Sequence, residues 1–269
     1  MDGFAWIDGR VVPLAEATVP ITDVQFTHGL GVYETVEACV GGDYSLNLAR
    51  LAASAEAIGV AMPDPARVVD EIEAVRARIG DRAWVRVNLT GDGRRQVWGT
   101  PVDPSRRHVP VRCARAPHVD HPLLAGSVKH RSRGPWVAEL RRRGVDELLF
   151  VDAAGRFTEG TSCAVLAVTG GVLQTAPWDG RILASTTLDR LLGHADRLGI
   201  PVERKGPLAD GAWDALYVAS TTRSLSPVVE LDGVTLATWD PIGRQLASAD
   251  DTGRHPINPA ESAGRSSSS

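Results

Sequence analysis

Short apolar runs separated by glycine-containing turns recur along this chain, and they constrain its fold more than any other feature. Between Phe4 and Pro13, two such runs flank Asp8-Gly9, and an Asp-Gly pair in that position favours a tight β-hairpin. The pattern therefore predicts a chain that opens with β-structure.

A second hairpin is predicted soon afterwards. Residues 32–40 mix β-branched and aromatic side chains, as strands do, and they end at Gly41-Gly42-Asp43. Such a turn predicts that the chain returns as a paired strand through residues 44–46.

Two helices and two more strands complete the predicted N-terminal half. Apolar residues recur at three- and four-residue spacing up to Gly59, and again up to Gly80, as on the buried face of a helix. Residues 83–90 and 108–115 are strand-like. Helices packed on a sheet of this kind predict the α+β class.

The second half of the chain is also predicted to be rich in strands. Residues 147–151 and 162–168 are apolar runs joined across a turn at 152–155, and Gly170-Gly171 predicts a hairpin after them. One amphipathic helix is predicted at about 187–198.

The domain organisation follows from where these patterns lapse. Two prolines interrupt the apolar pattern in residues 116–122, which we interpret as a linker between a small N-terminal domain, 1–115, and a larger C-terminal domain, 123–249. The polar tail, 250–269, ends in four serines and is predicted to be disordered.

Charge and composition exclude several classes of protein. A net charge of -4 argues against nucleic-acid binding, which depends on Lys and Arg neutralising phosphates. No apolar run approaches the roughly 20 residues that span a bilayer, and the first residues lack the basic start of a secretory signal. We therefore expect a cytoplasmic protein without membrane partners.

The cysteines do not indicate a disulfide framework or a zinc site. They are three in number, far apart, and none belongs to a C-x-x-C pair. We expect Cys39, Cys113 and Cys163 to be buried thiols.

Lysine is scarce, which narrows the search for an amine nucleophile. The 29 basic residues include only Lys129 and Lys205. Lys129 precedes a basic run, His130 to Arg133, and like-charge repulsion there would lower its pKa, as a Schiff-base lysine requires. The alternative is a solvated basic loop.

Other polar residues cluster in the same half of the chain. Glu159 stands beside a glycine at the end of a strand, where it is either the partner of a heteroaromatic nitrogen or a solvated turn residue. Hydroxyl clusters at 185–187 and 220–222 open a predicted helix and follow a predicted strand at 215–219. Hydroxyls beside a helix N-terminus suit an anion, although one such cluster is usually a helix cap.

A metal-dependent hydrolase is an alternative that the sequence leaves open. It rests on His118-Val119-Asp120-His121, which has metal-ligand residue types. The segment is flanked by prolines and lies in the predicted linker, where a rigid ligand set is seldom built, and we therefore predict no metal.

A series of motifs runs along the chain from about residue 6 to residue 240. The first is FTHGLGVYET at 26–35, the second is LARLAASA at 48–55, and the later ones are Lys129, the strand at 146–152, Thr158 to Ser162, and the segments 182–189 and 220–222. In this order they resemble the class IV pyridoxal-phosphate-dependent aminotransferases, the group that also contains branched-chain and D-amino-acid aminotransferases and aminodeoxychorismate lyase.

The resemblance implies which residues hold the cofactor, pyridoxal 5'-phosphate (PLP). Lys129 would form a Schiff base with it and move the proton between the substrate Cα and the cofactor. Glu159 would pair with the pyridine N–H. The phosphate would be held by Arg50, Thr186, Thr187 and Thr221.

The resemblance also implies a substrate-binding set, Tyr33, Arg86 and Thr222. Alternatives remain for three side chains: Tyr33 as a core aromatic, Arg86 as a water-facing strand residue, and Arg50 as an exposed helix residue.

Branched-chain enzymes have a Tyr five positions after the lysine, where this chain has Gly134. Arg131, Arg133 or Trp136 is therefore expected on that side of the ring.

The family's fold and activity follow as expectations. The resemblance implies a fold-type IV homodimer, in which a small α/β N-terminal domain and a larger C-terminal domain with a β-barrel-like core enclose PLP. The implied activity is amino transfer between an amino acid, or an amine, and a keto acid. The alternatives are release of 4-aminobenzoate and pyruvate from aminodeoxychorismate, and a cofactor-binding homologue without catalysis.

Overall fold

Two β-sheets, one from each half of the chain, organise the computed structural model, which describes residues 2–121 and 124–253. The first sheet is antiparallel and has the strand order β2-β1-β5-β4-β3. Its strands are β1 (Phe4–Ile7), β2 (Arg10–Pro13), β3 (Gly31–Cys39), β4 (Arg82–Thr90) and β5 (Arg95–Pro101). The opening hairpin is confirmed, with Asp8 at φ 51° and Gly9 at φ 88° between its strands.

Helices cover one face of this sheet. A short helix, α1 (Val24–His28), precedes β3, and α2 (Ser45–Ala57) and α3 (Pro65–Ile79) pack on the sheet as predicted. Leu51, Ile72 and Val85 are fully buried where helices and strands meet. The opposite face carries polar side chains, and this face is turned toward the second half of the chain.

The second predicted hairpin is wrong, because the chain enters α2 directly after its turn. The phenol of Tyr44 donates to Glu73 Oε1 at 2.7 Å and accepts from the Cys39 N–H at 3.3 Å, and the side chain is buried over the end of β3. Asp43 Oδ1 accepts from the Ser45 N–H at 2.8 Å, which favours a helix start.

The second sheet curls into a barrel-like core. Its central strands follow the closed order β9-β12-β13-β6-β7-β8, with β8 returning to β9 through Glu159 and Ala164, while β10, β11 and β14 extend it. The strands are β6 (Val111–Pro117), β7 (Glu147–Val151), β8 (Phe157–Gly160), β9 (Ala164–Thr169), β10 (Val172–Thr175), β11 (Val202–Arg204), β12 (Ala215–Ser220), β13 (Ser224–Leu231) and β14 (Val234–Thr235). The predicted α+β class and barrel-like core are confirmed.

Three helices belong to this second half: α4 (Gly134–Arg143), α5 (Thr186–Arg197) and α6 (Pro241–Gly253). Leu188 and Leu191 of α5 are buried in one cluster with Leu246 of α6. Neither α4 nor α6 is predicted from the sequence. The helix α4 has no buried residue, so its sequence lacks the apolar stripe on which such an assignment depends.

The predicted domain boundaries differ from the structure at two places. β6 pairs in parallel with β13 and β7, so the boundary at 115/116 cuts a strand of the second sheet. The chain changes sheets earlier, between Pro101 and Val111, through a 3₁₀ turn at Pro104–Arg106.

At the other end, α6 includes residues 250–253 of the predicted tail; residues 254–269 lie outside the described part of the chain.

Two remaining expectations concern the cysteines and the membrane. Cys113 and Cys163 are buried as expected, but Cys39 is only half-buried because it ends β3 at the rim of the sheet. Within residues 2–121 and 124–253, no helix combines the length and the apolar character that crossing a membrane requires.

Candidate active site

A cavity of about 870 Å³ separates the polar face of the first sheet from the barrel and α5. Side chains from both halves of the chain line it, including those of β3, β4, β8 and the loop after β12. It brings together all nine site residues named from the sequence: Tyr33, Arg50, Arg86, Lys129, Glu159, Thr186, Thr187, Thr221 and Thr222.

Lys129 reaches this cavity from a segment tied to both layers of the N-terminal domain. Its backbone N–H donates to Ser54 Oγ on α2 at 3.1 Å, and its carbonyl accepts from the Tyr33 N–H on β3 at 3.0 Å. Burial among surrounding protein lowers the pKa of the Lys129 ammonium, and the charges of Arg50 and Arg133 add to this effect. Tyr33 and Glu34 oppose the lowering of this pKa, and the net effect favours the neutral amine over the ammonium.

Lys205 has none of these features. Its ammonium is half-exposed and forms an ion pair with Glu203 on β11 at 2.6 Å. It does not line the cavity. Lys129 is therefore the only amine side chain at the site.

Glu159 lines the cavity from β8 and has one hydrogen-bond donor, the Leu183 N–H at 3.1 Å from Oε2. Burial raises the pKa of its carboxyl group to about 7, although Lys129 and Arg133 oppose the shift. Among the described residues no cation forms an ion pair with it. A buried carboxyl of this kind favours a partner that brings positive charge, such as a protonated ring nitrogen.

Two hydroxyl clusters face the cavity from neighbouring elements. Thr186 and Thr187 begin α5, whose N-cap, Ser185, accepts from the Leu188 N–H at 3.2 Å. Thr221, in the loop between β12 and β13, reaches the carbonyl of Thr35 at 3.4 Å. Free N–H groups at the start of α5, together with these hydroxyls, suit an anion.

Arg50 is almost buried, with 10 % of its side chain exposed, and it is not the surface helix residue that was the alternative. Its Nε and Nη2 donate to the two carboxylate oxygens of Glu34 at 2.7 and 2.8 Å, and Nη1 donates to the carbonyl of Ala184 at 2.6 Å. A guanidinium has five N–H donors. Two therefore remain for an anion beside the start of α5.

Arg86 and Tyr33 form a stacked pair on the cavity face of the first sheet. The guanidinium carbon of Arg86 lies 4.2 Å from the ring centroid of Tyr33. Among the described residues Arg86 has no hydrogen bond and no ion pair. Burial lowers its pKa, so the charged guanidinium gains from an anionic partner in the cavity.

Three residues are expected on the side of the ring where branched-chain enzymes have a Tyr: Arg131, Arg133 and Trp136. They occupy different places in the structure. Arg133 donates to the phenol oxygen of Tyr33 and to the carbonyl of Thr161. Arg131 Nη1 is 3.3 Å from Asn88 Oδ1, and its guanidinium carbon lies 5.9 Å from the ring centroid of Tyr33. Trp136 lines the cavity farther along.

This arrangement places three basic side chains, Lys129, Arg133 and Arg86, near the phenol of Tyr33. Burial would raise the pKa of the phenol, but Lys129, Arg133 and Arg86 outweigh burial and lower it. Tyr33 thus lines the cavity with a phenol whose pKa lies below its usual value.

Sequence reasoning missed Glu34 and Arg223. Glu34 is fully buried and orients Arg50, whereas Arg223 follows the hydroxyls of the loop and lines the cavity. Glu34 stands inside a motif that the sequence analysis recognised, but its pairing across 16 positions has no sequence signal.

The metal-hydrolase alternative finds no support in the described part of the chain. His118 Nδ1 is 3.0 Å from Thr158 Oγ1 on β8, and its Nε2 is 3.2 Å from the exposed Asp120. Within residues 2–121 and 124–253, no three Asp, Glu, His or Cys side chains are grouped so that they could hold a metal ion.

Comparison with known proteins agrees with the geometry. The family model for class IV amino-transferases matches residues 31–231. A branched-chain-amino-acid aminotransferase of Escherichia coli is 29% identical over 99 residues, which are 36% of this chain and 32% of that enzyme. The match thus spans about a third of that relative's length. A D-alanine aminotransferase of Bacillus licheniformis is 23% identical over 87% of this chain and 90% of its own length.

A solved structure extends the comparison to three dimensions. The fold IV-transaminase CpuTA1 from Curtobacterium pusillum superposes with a TM-score of 0.76 at 25% identity, covering 91% of this chain and 98% of its own. The family match covers most of the chain, and the structural match includes both sheets. The chain therefore belongs to the class IV aminotransferase family and has the fold of the fold-type IV transaminases.

Proposed function

We propose that this protein is a PLP-dependent aminotransferase that exchanges an amino group between an amino acid, or an amine, and a keto acid. The observation that carries the proposal is the position of Lys129. Its amine is half-buried in a cavity that also contains Glu159, a half-buried carboxyl without an ion pair among the described residues, and a set of anion-binding donors. Proteins of the class IV family use PLP.

The residues present fit the three reactive parts of PLP. Lys129 supplies the amine for its carbonyl, and Glu159 supplies an acceptor for its ring nitrogen. The phosphate dianion requires donors and positive charge. Two unused N–H groups of Arg50 and the hydroxyls of Thr186, Thr187 and Thr221 provide both.

When bound, PLP supplies an electrophilic carbonyl and a ring that delocalises the electrons left when a substrate Cα loses its proton. Lys129 would then hold that proton at Nζ, because a lowered pKa favours the unprotonated amine and only this form can accept a proton. The backbone of Lys129 is hydrogen-bonded to α2 and β3, which fixes the point from which its side chain enters the cavity.

Glu159 would hold the ring nitrogen in its protonated form. Without a cationic partner its carboxyl has a pKa of about 7. A protonated nitrogen beside it favours the carboxylate, and the carboxylate favours the proton on nitrogen, because each stabilises the other's charge. The N–H of Leu183 keeps Oε2 in place.

Arg86, Tyr33 and Thr222 would bind the substrate. The free donors of Arg86 suit a carboxylate, and its stacking on Tyr33 orients them. Both side chains lie on the wall made by the first sheet, whereas the phosphate donors lie around the start of α5.

The two enclosing halves would exclude water from the reacting atoms.

A homodimer is part of the proposal, since the resemblance implies one. Light scattering of the purified chain should give twice the protomer mass of 28.7 kDa. A monomeric mass at working concentration would contradict this part alone.

The proposal is tested by labelling followed by turnover. The purified protein should be yellow, borohydride should bleach it, and peptide mapping should find the phosphopyridoxyl group on Lys129. Lys205→Ala is the matched control, because it removes the other lysine without touching the cavity. Label on Lys205, or no label, would refute the mechanism.

Turnover assays then distinguish an aminotransferase from a lyase and from a non-catalytic homologue. L-amino acids, D-amino acids, amines and aminodeoxychorismate should be assayed separately for keto acid and for 4-aminobenzoate. Keto-acid formation with loss of activity in Lys129→Ala is expected. Formation of 4-aminobenzoate alone would favour the lyase, and a labelled protein without turnover would favour a non-catalytic homologue.

A further inference from the structure

Asp250 is a fully buried carboxylate near the end of α6 and does not line the cavity. It contacts two elements that do line the cavity. One is α5, through Arg190, and the other is the hairpin between β12 and β13, through Ser224.

The contact with α5 is an ion pair. Asp250 Oδ1 accepts from Arg190 Nε at 2.5 Å, and Oδ2 is 3.5 Å from Arg190 Nη2. Arg190 stands one helical turn after Thr186, on the same helix whose first turn faces the cavity. Asp250 therefore fixes the position of that first turn.

The contact with the hairpin is made at a strained residue. Ser224 has φ 59°, a left-handed conformation that is strained for a residue other than glycine. Its hydroxyl donates to Asp250 Oδ2, and the side chain is fully buried. Ser224 closes the three-residue loop that holds Thr221 and Thr222, so its conformation sets where these hydroxyls point.

The carboxylate of Asp250 thus links the two elements that carry the hydroxyl clusters, through Arg190 on α5 and Ser224 at the end of the loop. Thr186 and Thr187 depend on the position of α5, and Thr221 depends on the conformation of the loop. Hydrogen-bond donors bind an oxyanion well only when their spacing matches it, since a misplaced donor loses most of its interaction energy.

We propose that Asp250 is a positioning residue for the phosphate group of the cofactor, which it serves by fixing the distance between the start of α5 and the β12–β13 loop. The inference rests on the proposed function, because it presumes that the anion held there is the phosphate of PLP. Asp250 itself touches no cofactor atom; it acts through Arg190 and Ser224.

The test compares PLP with pyridoxal, which has the same ring and carbonyl but no phosphate. Dissociation constants for both are measured by equilibrium titration of the full chain after removal of cofactor. In Asp250→Asn the constant for PLP should rise 10- to 100-fold, whereas that for pyridoxal should change less than 2-fold. Inorganic phosphate should also protect the parent, but not the variant, against thermal unfolding.

A second variant separates positioning from folding. Ser224→Gly removes the hydroxyl but accepts a positive φ without strain, so the fold is retained. Its melting temperature should stay at or above that of the parent, while its preference for PLP over pyridoxal should fall 3- to 10-fold.

The matched control is Asp240→Asn, at the residue that directly precedes α6. Asp240 is also buried and accepts from Tyr217 Oη at 2.7 Å and from the Gly243 N–H at 2.8 Å, but it contacts neither α5 nor the loop. It should lower stability and leave the ratio of the two dissociation constants unchanged.

The outcomes distinguish the two proposals. A parent that prefers PLP, with the same preference in Asp250→Asn and Ser224→Gly, overturns the role of Asp250 and leaves the proposed function standing. Equal weakening of PLP and pyridoxal in Asp250→Asn also overturns it, as a purely structural effect. A parent with no preference for PLP overturns both.

Discussion

Arg86 stacks on Tyr33 with its guanidinium carbon 4.2 Å from the ring centroid, on the face of the first sheet that looks into the cavity. The register of β3 and β4 places Arg86 beside Thr35 and Tyr33 beside Asn88, so the pair is diagonal across the two strands. A stacked guanidinium keeps its edge donors available. This geometry makes Arg86 a candidate for recognising a substrate carboxylate.

Arg86→Ala should raise KM for carboxylate substrates about 10- to 100-fold, since charge-assisted hydrogen bonds contribute roughly 1.5–3 kcal/mol. Retention of PLP should be unchanged. Arg142→Ala is the control, because Arg142 is exposed, pairs with Glu139 and does not line the cavity. Steady-state kinetics with an amino acid and with an amine that lacks a carboxylate provide the measurement; an equal rise of KM for both donors would contradict the assigned role.

Arg50→Ala should release PLP more readily than Arg86→Ala and should also destabilise the protein. The variant leaves the fully buried Glu34 without its partner, and breaking a buried ion pair costs about 3–5 kcal/mol. Chemical denaturation and equilibrium dialysis measure the two effects separately.

The double variant Glu34→Gln/Arg50→Gln separates the effect on stability from the effect on cofactor retention. It removes the unpaired charge, so part of the stability should return while cofactor retention stays weak. Recovery of retention together with stability would show that Arg50 only supports the fold.

Glu159→Gln should keep the cofactor bound but slow the first half-reaction by a factor of about 100 or more. The amide preserves size and hydrogen bonding but removes the charge that favours a protonated ring nitrogen, and the loss falls on the transition state for removal of the Cα proton. Stopped-flow absorbance with a good amino donor measures the rate. A rate equal to that of the parent would mean that Glu159 is only a turn residue.

The same carboxyl should make the stability of the cofactor-free protein depend on pH. Its pKa is raised from 4.5 in the unfolded chain to about 7 in the folded one, so the folded state binds the proton more tightly. The resulting stabilisation is complete below pH 4.5 and is lost as pH rises through 7.

Glu159→Gln lacks this titration. Its free energy of unfolding should match that of the parent near pH 4 and exceed it by on the order of 3 kcal/mol near pH 8. Denaturant unfolding at the two pH values measures the difference; a constant difference would argue against a buried, unpaired carboxyl.

Local patterns in the sequence predicted most strands and the helices that bury an apolar stripe. The strand at 147–151 and the hairpin at Gly170-Gly171 are found where they were predicted. The prediction failed after Gly41, because a turn signal alone does not say whether the chain returns as a strand. The buried contacts of Tyr44 with Cys39 and Glu73 favour a helix at that position.

The sequence by itself determined the family, through the order of motifs around residues such as Lys129, and it determined the candidate site residues, because their chemical types are informative without coordinates. Only the tertiary structure decided that β6 joins the barrel and that Arg50 is buried against Glu34. It also decided that Asp250 is buried within α6 rather than part of a disordered tail. Each of these depends on partners from 16 to more than 100 positions away. Pairings at such separations leave no periodicity or spacing in the sequence, since they are selected by packing of the whole chain.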